Sequence, residues 1–525
     1  MTERLSLASL QSKADLEHLI AAEMNNLGAR AYPVGTGNNR PLDNCMILLL
    51  SGRACAVIIQ RRVSDPDFAA EFSAYYSRQF AHVQRWCTRL HFFFTAPLQG
   101  ESALNFIDRA DPAAYLGFIT LRPVARAPVG ATIIAGSLSP GYLRSSDDFP
   151  VHLAGKRFSV VGTPFMQQDN AVGACAQASI WMSLRTLRKR EGDRAHDPAQ
   201  ITDAATRYFI HGRVRPNRQG LTIDQMTEAV RAAGYSPHRI PLGTINPTDG
   251  TTNLTPLQLA LARLHLHAYV ESEIPVLLAL FPPSGGHAVT VIGHTWNPTP
   301  AAAQVVAYSF TNGTGTVLAI KHAVSYVPEF VVNNDNTGPY QALPQQPMPN
   351  GDYSLSSAAF AMPLLPADVF MTGEEALAFG MNVTYQIFDS LAQKMGAQAT
   401  AAAAANLVIR LQLAEKRKLR KWAASVVMPA ELRDCLRLAD LPRRVWVFEL
   451  HVDNAYGTNA AANAGTLVGI VLLDPTGDVL EGSVLVSYYN FPAITGGPQG
   501  VLLRFDTPTP TATQVSAHAP IASLR

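Results

Sequence analysis

Apolar positions recur along this chain in two rhythms, and their interleaving predicts a mixed α+β protein. Residues 15–27, 198–210 and 222–234 carry apolar side chains at helical spacing, and 175–190 predicts a helix that opens on a cysteine. Dense apolar runs bounded by turn residues read as strands at 91–95, 115–121, 131–135, 157–161, 275–281, 287–294, 304–308 and 329–333. Residues 45–50 and 55–60 read the same way, as two strands around a Ser-Gly-Arg turn. A long helix is expected over 67–89, with an aromatic stripe (Phe68, Phe72, Tyr75, Phe80, Trp86) read as core. An Ala-rich helical stretch is expected over 394–424. It ends in a basic cluster of Lys416, Arg417, Lys418, Arg420 and Lys421, read as a solvated face whose charges suit a helix C-terminus. Strands return at 444–452, 466–474 and 483–489.

Residues 127–165 are rich in Pro, Gly and Ser and suggest a boundary near 145. The chain then reads as three parts: an α/β region over 1–145, a chemistry-bearing region over 146–350, and an α+β region over 351–525 that begins with helices and continues in strands. A length of 525 residues exceeds what one hydrophobic core usually serves. The apolar fraction of 47% and charged fraction of 16% are those of a globular protein, and a net charge of +2 gives nucleic acid no electrostatic foothold. The opening residues mix charges of both signs without an apolar core, and the run 46–60 is broken by Ser51, Gly52 and Arg53. No signal peptide or membrane span is expected, and the protein is read as cytoplasmic.

Five cysteines (Cys45, Cys55, Cys87, Cys175, Cys435) form no CxxC pair, which argues against a disulfide framework or a zinc site. Four read as small buried hydrophobes. Cys175 differs, because it starts an amphipathic helix after Gly173. There the helix dipole and unpaired N–H groups are expected to lower the thiol pKa, and its own N–H together with Gln168 or Gln167 can face a developing oxyanion. A thiolate needs a partner to protonate the leaving group. His287 follows two glycines at the head of an apolar strand. His294, seven residues on, should face the other side of a regular strand. The imidazole in turn needs an orienting acceptor. Asp335 sits where the strand 329–333 gives way to a polar turn, with Asn334 and Asn336 chemically able to take the same role.

These segments together resemble the papain-like cysteine peptidases, nearest the bacterial branch of bacteriocin-processing peptidases. The resemblance rests on Gln168 ahead of a helix-starting Cys175, on 220–237 (GLTIDQMTEAVRAAGYSP), on IPVLLAL leading to GGHAVTVIGH, and on NNDNTGPY, and it covers about residues 155–345. It implies a helical lobe packed on a β lobe with a cleft between them. It implies Cys175 as nucleophile, His287 as acid and base, Asp335 as orienting group and Gln168 as oxyanion donor.

The expected activity is cleavage of an amide bond in a protein or peptide through an acyl-thioenzyme, without metal or cofactor. A narrow substrate or a regulatory partner protein is expected, since a cytoplasmic protease must spare its surroundings. Two alternatives stay open: an acyltransferase or transglutaminase-like enzyme using the same acyl-enzyme, and an inactive papain-like binding scaffold. A metallohydrolase finds no HExxH or clustered Cys/His spacing.

Overall fold

The computed structural model describes residues 4–29, 39–80, 82–169, 175–191, 196–208, 220–311, 315, 317–349, 351–459, 464–477, 483–490, 500–506, 509–516 and 518–524. It is an α+β protein whose chain divides into two compact units. The first holds residues 1–254, 273–294 and 330–364, and the second holds 255–272, 295–329 and 365–525. This division cuts across the three sequence segments. Residues 1–145 share a unit with the Cys175 region, while 255–272 and 295–329 belong with the C-terminal part.

The first unit is built on two large sheets and a two-stranded one. A five-stranded antiparallel sheet runs Leu5–Ser9, Ala56–Val63, Cys87–Phe93, Tyr115–Leu121, Ile133–Ile134 in spatial order. Its central strands are apolar on both faces, which is why they read as unbroken runs. Val57, Ile59, Leu90, Phe92, Ile119 and Leu121 enter the main core. Ala56, Ile58, Phe93, Tyr115 and Phe118 enter a second core completed by Phe158 and Val160 of the hairpin Asp147–Leu153/Lys156–Gly162. The main core continues without a break into the helix Cys175–Glu191 through Trp181, Met182 and Leu184.

The second sheet of this unit runs Ile240–Pro241, Ala358–Pro366, Val276–Leu280, His287–His294, Phe330–Asn334, Gly338–Leu343. Strand Tyr142–Leu143 adds to His287–His294, and Tyr235–Pro237 pairs with Ala358–Pro366.

The second unit has a nine-stranded sheet. Its order is Ala307–Thr311, Val317–His322, Leu407–Glu415, Arg444–Val452, Gly465–Leu473, Val484–Tyr489, Gly500–Arg504, Thr511–Val515, with Ile521–Ala522 added to Gly465–Leu473. Val317–His322 and Leu407–Glu415 pair in parallel, and the other recorded pairs are antiparallel. Buried in it, Arg410 bonds Glu271 at 2.6 Å, Glu449 at 2.7 Å and the Leu524 carbonyl at 2.7 Å.

Three sequence expectations need correction. Residues 45–50 are helix, not strand, within Arg40–Ser51. Asn39 caps that helix by accepting from the Leu42 N–H, a proline sits in its first turn, and Gly52 closes it. The expected helix over 67–89 is only Pro66–Ala74 before the chain turns toward Cys87–Phe93. The stretch 394–424 is interrupted by Gly396 at φ +83° and by the strand Leu407–Glu415. Its basic residues therefore open the helix Lys416–Ser425, at the dipole end that does not favour them. They are served instead by carbonyls: Lys416 Nζ donates to Leu441 O at 2.8 Å, and Arg420 to Ala439 O at 3.1 Å.

Candidate active site

The helix Cys175–Glu191 starts on the expected cysteine, and the strand His287–His294 starts on the expected histidine. Residue 173 lies outside the described residues. Two side-chain bonds dock helix and strand: Ser179 Oγ donates to Ala288 O and Thr290 Oγ1 to Ser179 O, each at 3.0 Å. Two residues along, on the other face, Trp181 Nε1 donates to Asp67 Oδ1 at 3.0 Å, and Arg185 pairs with the same carboxylate. The helix is thereby held from two sides by groups that are themselves buried. Cys175 Sγ accepts a hydrogen bond from the Ala288 N–H at 3.2 Å, so the thiol stands against the backbone next to His287.

The imidazole is ordered by the turn that follows the strand Phe330–Asn334. Asn334 Oδ1 lies 2.8 Å from His287 Nε2 and also accepts the Asn336 N–H at 3.0 Å. An amide oxygen only accepts, so Nε2 carries the proton and Nδ1 is the unprotonated nitrogen, with its lone pair facing the amide of Asn336. Asp335 Oδ1 is farther from Nε2, at 3.6 Å. The hydrogen bond to the base thus comes from Asn334, one residue before the expected Asp335. Both reach the ring because the turn has begun: Thr337 N–H donates to Asn334 O at 3.0 Å, which ends strand alternation at that point. The turn is pinned from outside by Asn44, whose amide donates to Thr337 O. It closes on Gly338 at φ +131°, where a Cβ would lie 2.7 Å from Asn44 Cβ.

Gln168, the expected oxyanion donor, is half-buried and donates through Nε2 to Asn336 Oδ1 at 3.0 Å. Gln167 is turned elsewhere, its Oε1 facing Asn39 Nδ2 and Val129 N–H, each at 3.4 Å. Asn336, an alternative orienting group in the sequence, takes a bridging place instead, and Tyr353 beside it carried no sequence signal. Asn336 Nδ2 stands 3.4 Å from His287 Nδ1 and 3.0 Å from the Tyr353 hydroxyl, and the Tyr353 ring packs on the imidazole with centroids 4.6 Å apart. Gln168, Cys175, His287 and Asn336 all border one cavity of about 1020 Å³, whose remaining wall includes Leu221, Met226, Phe281 and Phe360.

His294 is separated from this cluster for a different reason than strand parity. The register with Phe330–Asn334 slips by one residue between Val291 and Gly293, so alternation does not carry through the strand. Seven residues of strand nonetheless place His294 roughly 20 Å from His287, where its ring packs on Tyr142 at 6.2 Å.

The expectation of a lowered thiol pKa is not met. Burial pushes Cys175 up to about 12, with the nearby Asp335 adding to the rise, and the N–H groups of Ala288 and Ala176 oppose this without overcoming it. Burial also pushes His287 down to about 4 despite its bond to Asn334, and Asp335 up to about 8. Neither Asp335 oxygen has a hydrogen-bond partner. Burial thus works against the charged form of thiol, imidazole and carboxyl alike. Among the described residues, no group of three or more His, Cys, Asp or Glu side chains is placed to hold a metal ion, and no helix is long and apolar enough to cross a membrane.

No protein-family model, curated protein or solved structure matches the chain.

Proposed function

We propose that the protein is a thiol-dependent hydrolase that cleaves an amide bond in a protein or peptide through an acyl-thioenzyme on Cys175. One observation carries the reading. A thiol, an imidazole with an unprotonated nitrogen and a side-chain amide donor border a single cavity, although 112 residues separate Cys175 from His287.

The electrostatics set the order of events. A thiol held near pKa 12 does not ionise ahead of the reaction, so His287 Nδ1 takes the Sγ proton as the S–C bond forms. The oxyanion that develops on the carbonyl lies within reach of the Cys175 N–H and Gln168 Nε2 once Gln168 releases Asn336. Asn334 keeps the ring oriented throughout. The protonated Nδ1 then delivers its proton to the leaving nitrogen, and water completes the cycle by attacking the thioester. The α+β lobes on either side of a cleft in papain-like peptidases are the arrangement this chemistry resembles.

The test is burst-phase release of p-nitrophenol from p-nitrophenyl acetate by the wild type and by Cys175→Ala. A burst equal to the enzyme concentration, lost in the variant, supports the reading, and an unchanged rate in the variant overturns it. The acylation rate should fall as pH drops through about 4, where His287 gains its proton. It should not follow a thiolate titration near neutrality.

A further inference from the structure

The carboxamide of Asn336 is held by the groups that an amide substrate would need. Its oxygen accepts from the oxyanion donor Gln168 at 3.0 Å, and its nitrogen stands 3.4 Å from His287 Nδ1, the atom that protonates a leaving amine. Its position therefore indicates which amide the site accommodates. A primary carboxamide has two N–H bonds. Here one faces His287 and the other is directed at the Tyr353 hydroxyl, 3.0 Å from the nitrogen. A peptide nitrogen has one N–H and carries a carbon in place of the second. A carbon about 1.46 Å from the nitrogen on that line would fall well inside the van der Waals radius of the Tyr353 oxygen. The hydroxyl has little freedom to yield, because its ring lies against the imidazole at 4.6 Å.

We propose that the group turned over at Cys175 is the primary carboxamide of a glutamine or asparagine side chain presented by a protein or peptide, and that Asn336 occupies its place when the site is empty. The proposal rests on Cys175 being a nucleophile and narrows the amide it attacks. The Sγ–H proton passes to His287 Nδ1 as sulfur bonds to the carboxamide carbon. The C–N bond then breaks, and the nitrogen takes that proton and leaves as ammonia. Water next attacks the thioester, forming a C–O bond as C–S breaks, and yields a side-chain carboxylate with the thiol restored. An amine in place of water would give a substituted amide, with ammonia released all the same.

The experiment measures ammonia released from benzyloxycarbonyl-glutaminylglycine and its asparaginyl counterpart, beside p-nitrophenyl acetate turnover, in the full-length chain. Ammonia release from either amide that is absent in Cys175→Ala supports the proposal. Asn336→Ala should raise that release several-fold by removing the internal competitor, and Tyr353→Phe should raise turnover of a glutaminyl p-nitroanilide relative to the carboxamide. Ester turnover that depends on Cys175, with anilide cleaved and no ammonia from either probe, overturns the proposal and leaves the thiol reading intact. Ester turnover that persists in Cys175→Ala removes both. A fall in ammonia release in Asn336→Ala at unchanged ester turnover also overturns it, since Asn336 would then be needed for the reaction.

Discussion

Each unit of this protein buries a cluster of polar side chains, and the two clusters are finished to different degrees. In the second unit, Arg410 is surrounded by acceptors: Glu271, Glu449 and the Leu524 carbonyl. Glu449 returns the favour through Oε1, which accepts the Leu524 N–H at 3.1 Å. Despite full burial its carboxyl is held below the ordinary range, chiefly by the adjacent guanidinium working against desolvation. In the first unit, Asp335 is equally inaccessible, yet neither oxygen is hydrogen-bonded and its carboxyl is driven up to about 8. A completed cluster holds chains together. An unfinished one stores free energy, and such strain is found most often at functional sites.

The largest expected difference between the clusters is kinetic. Cys175→Ala should lower turnover by at least about a thousandfold, the scale on which a lost nucleophile acts, with a melting temperature close to wild type. Steady-state assays paired with thermal melts check both halves, and a large loss of stability would place the thiol among the completed contacts. Next comes Arg410→Ala, which strands two buried carboxylates and should cost about 3–5 kcal/mol of unfolding free energy, read by urea denaturation. A cost under about 1 kcal/mol would mean that the second cluster is no more finished than the first.

Smaller effects sharpen the contrast inside the site. Asn334→Ala removes the acceptor 2.8 Å from His287 and should cut turnover about tenfold or more, whereas Asp335→Asn should cut it less. If the order is reversed, the hydrogen bond seen here is not the one that orients the base during reaction. Asp335→Asn has a second signature in stability against pH. The folded carboxyl keeps its proton up to about 8 while the unfolded one loses it near 3.8, so wild-type stability drains away between those values. The asparagine variant lacks this slope, and its advantage in unfolding free energy should grow from pH 5 to pH 8, by up to about 1.4 kcal/mol for each pH unit. A constant difference would mean that Asp335 ionises normally. His294→Ala should have the smallest effect on turnover, below about twofold, since distance separates it from the cavity.

Much of the site was legible in the chain because its two anchors are local features. A cysteine followed by apolar residues at helical spacing and a histidine opening an apolar strand each announce their element, and both starts hold to the residue. The choice between Asn334 and Asp335 was not legible, because it depends on where strand gives way to turn, a matter of one residue. Tyr353 and the bridging role of Asn336 had no sequence signal, since their contacts are tertiary and lie on irregular backbone. The thiol pKa was misjudged for a related reason. A helix start can be read from sequence, but the burial that outweighs it depends on what packs above. Residues 45–50 show the opposite failing: Asn39, Pro41 and Gly52 were readable helix signals, and the apolar run Met46 to Leu50 drew the reading to strand instead.

The path of the chain through the two units has a consequence for synthesis. Strand Ala358–Pro366 lies between Ile240–Pro241 and Val276–Leu280, and the latter is the neighbour of the strand that begins with His287. Until residue 366 has left the ribosome, Val276–Leu280 has an open edge and the sheet that carries the imidazole is incomplete. A nascent chain therefore carries Cys175 nearly 200 residues before the strand that completes the sheet holding His287 has been made.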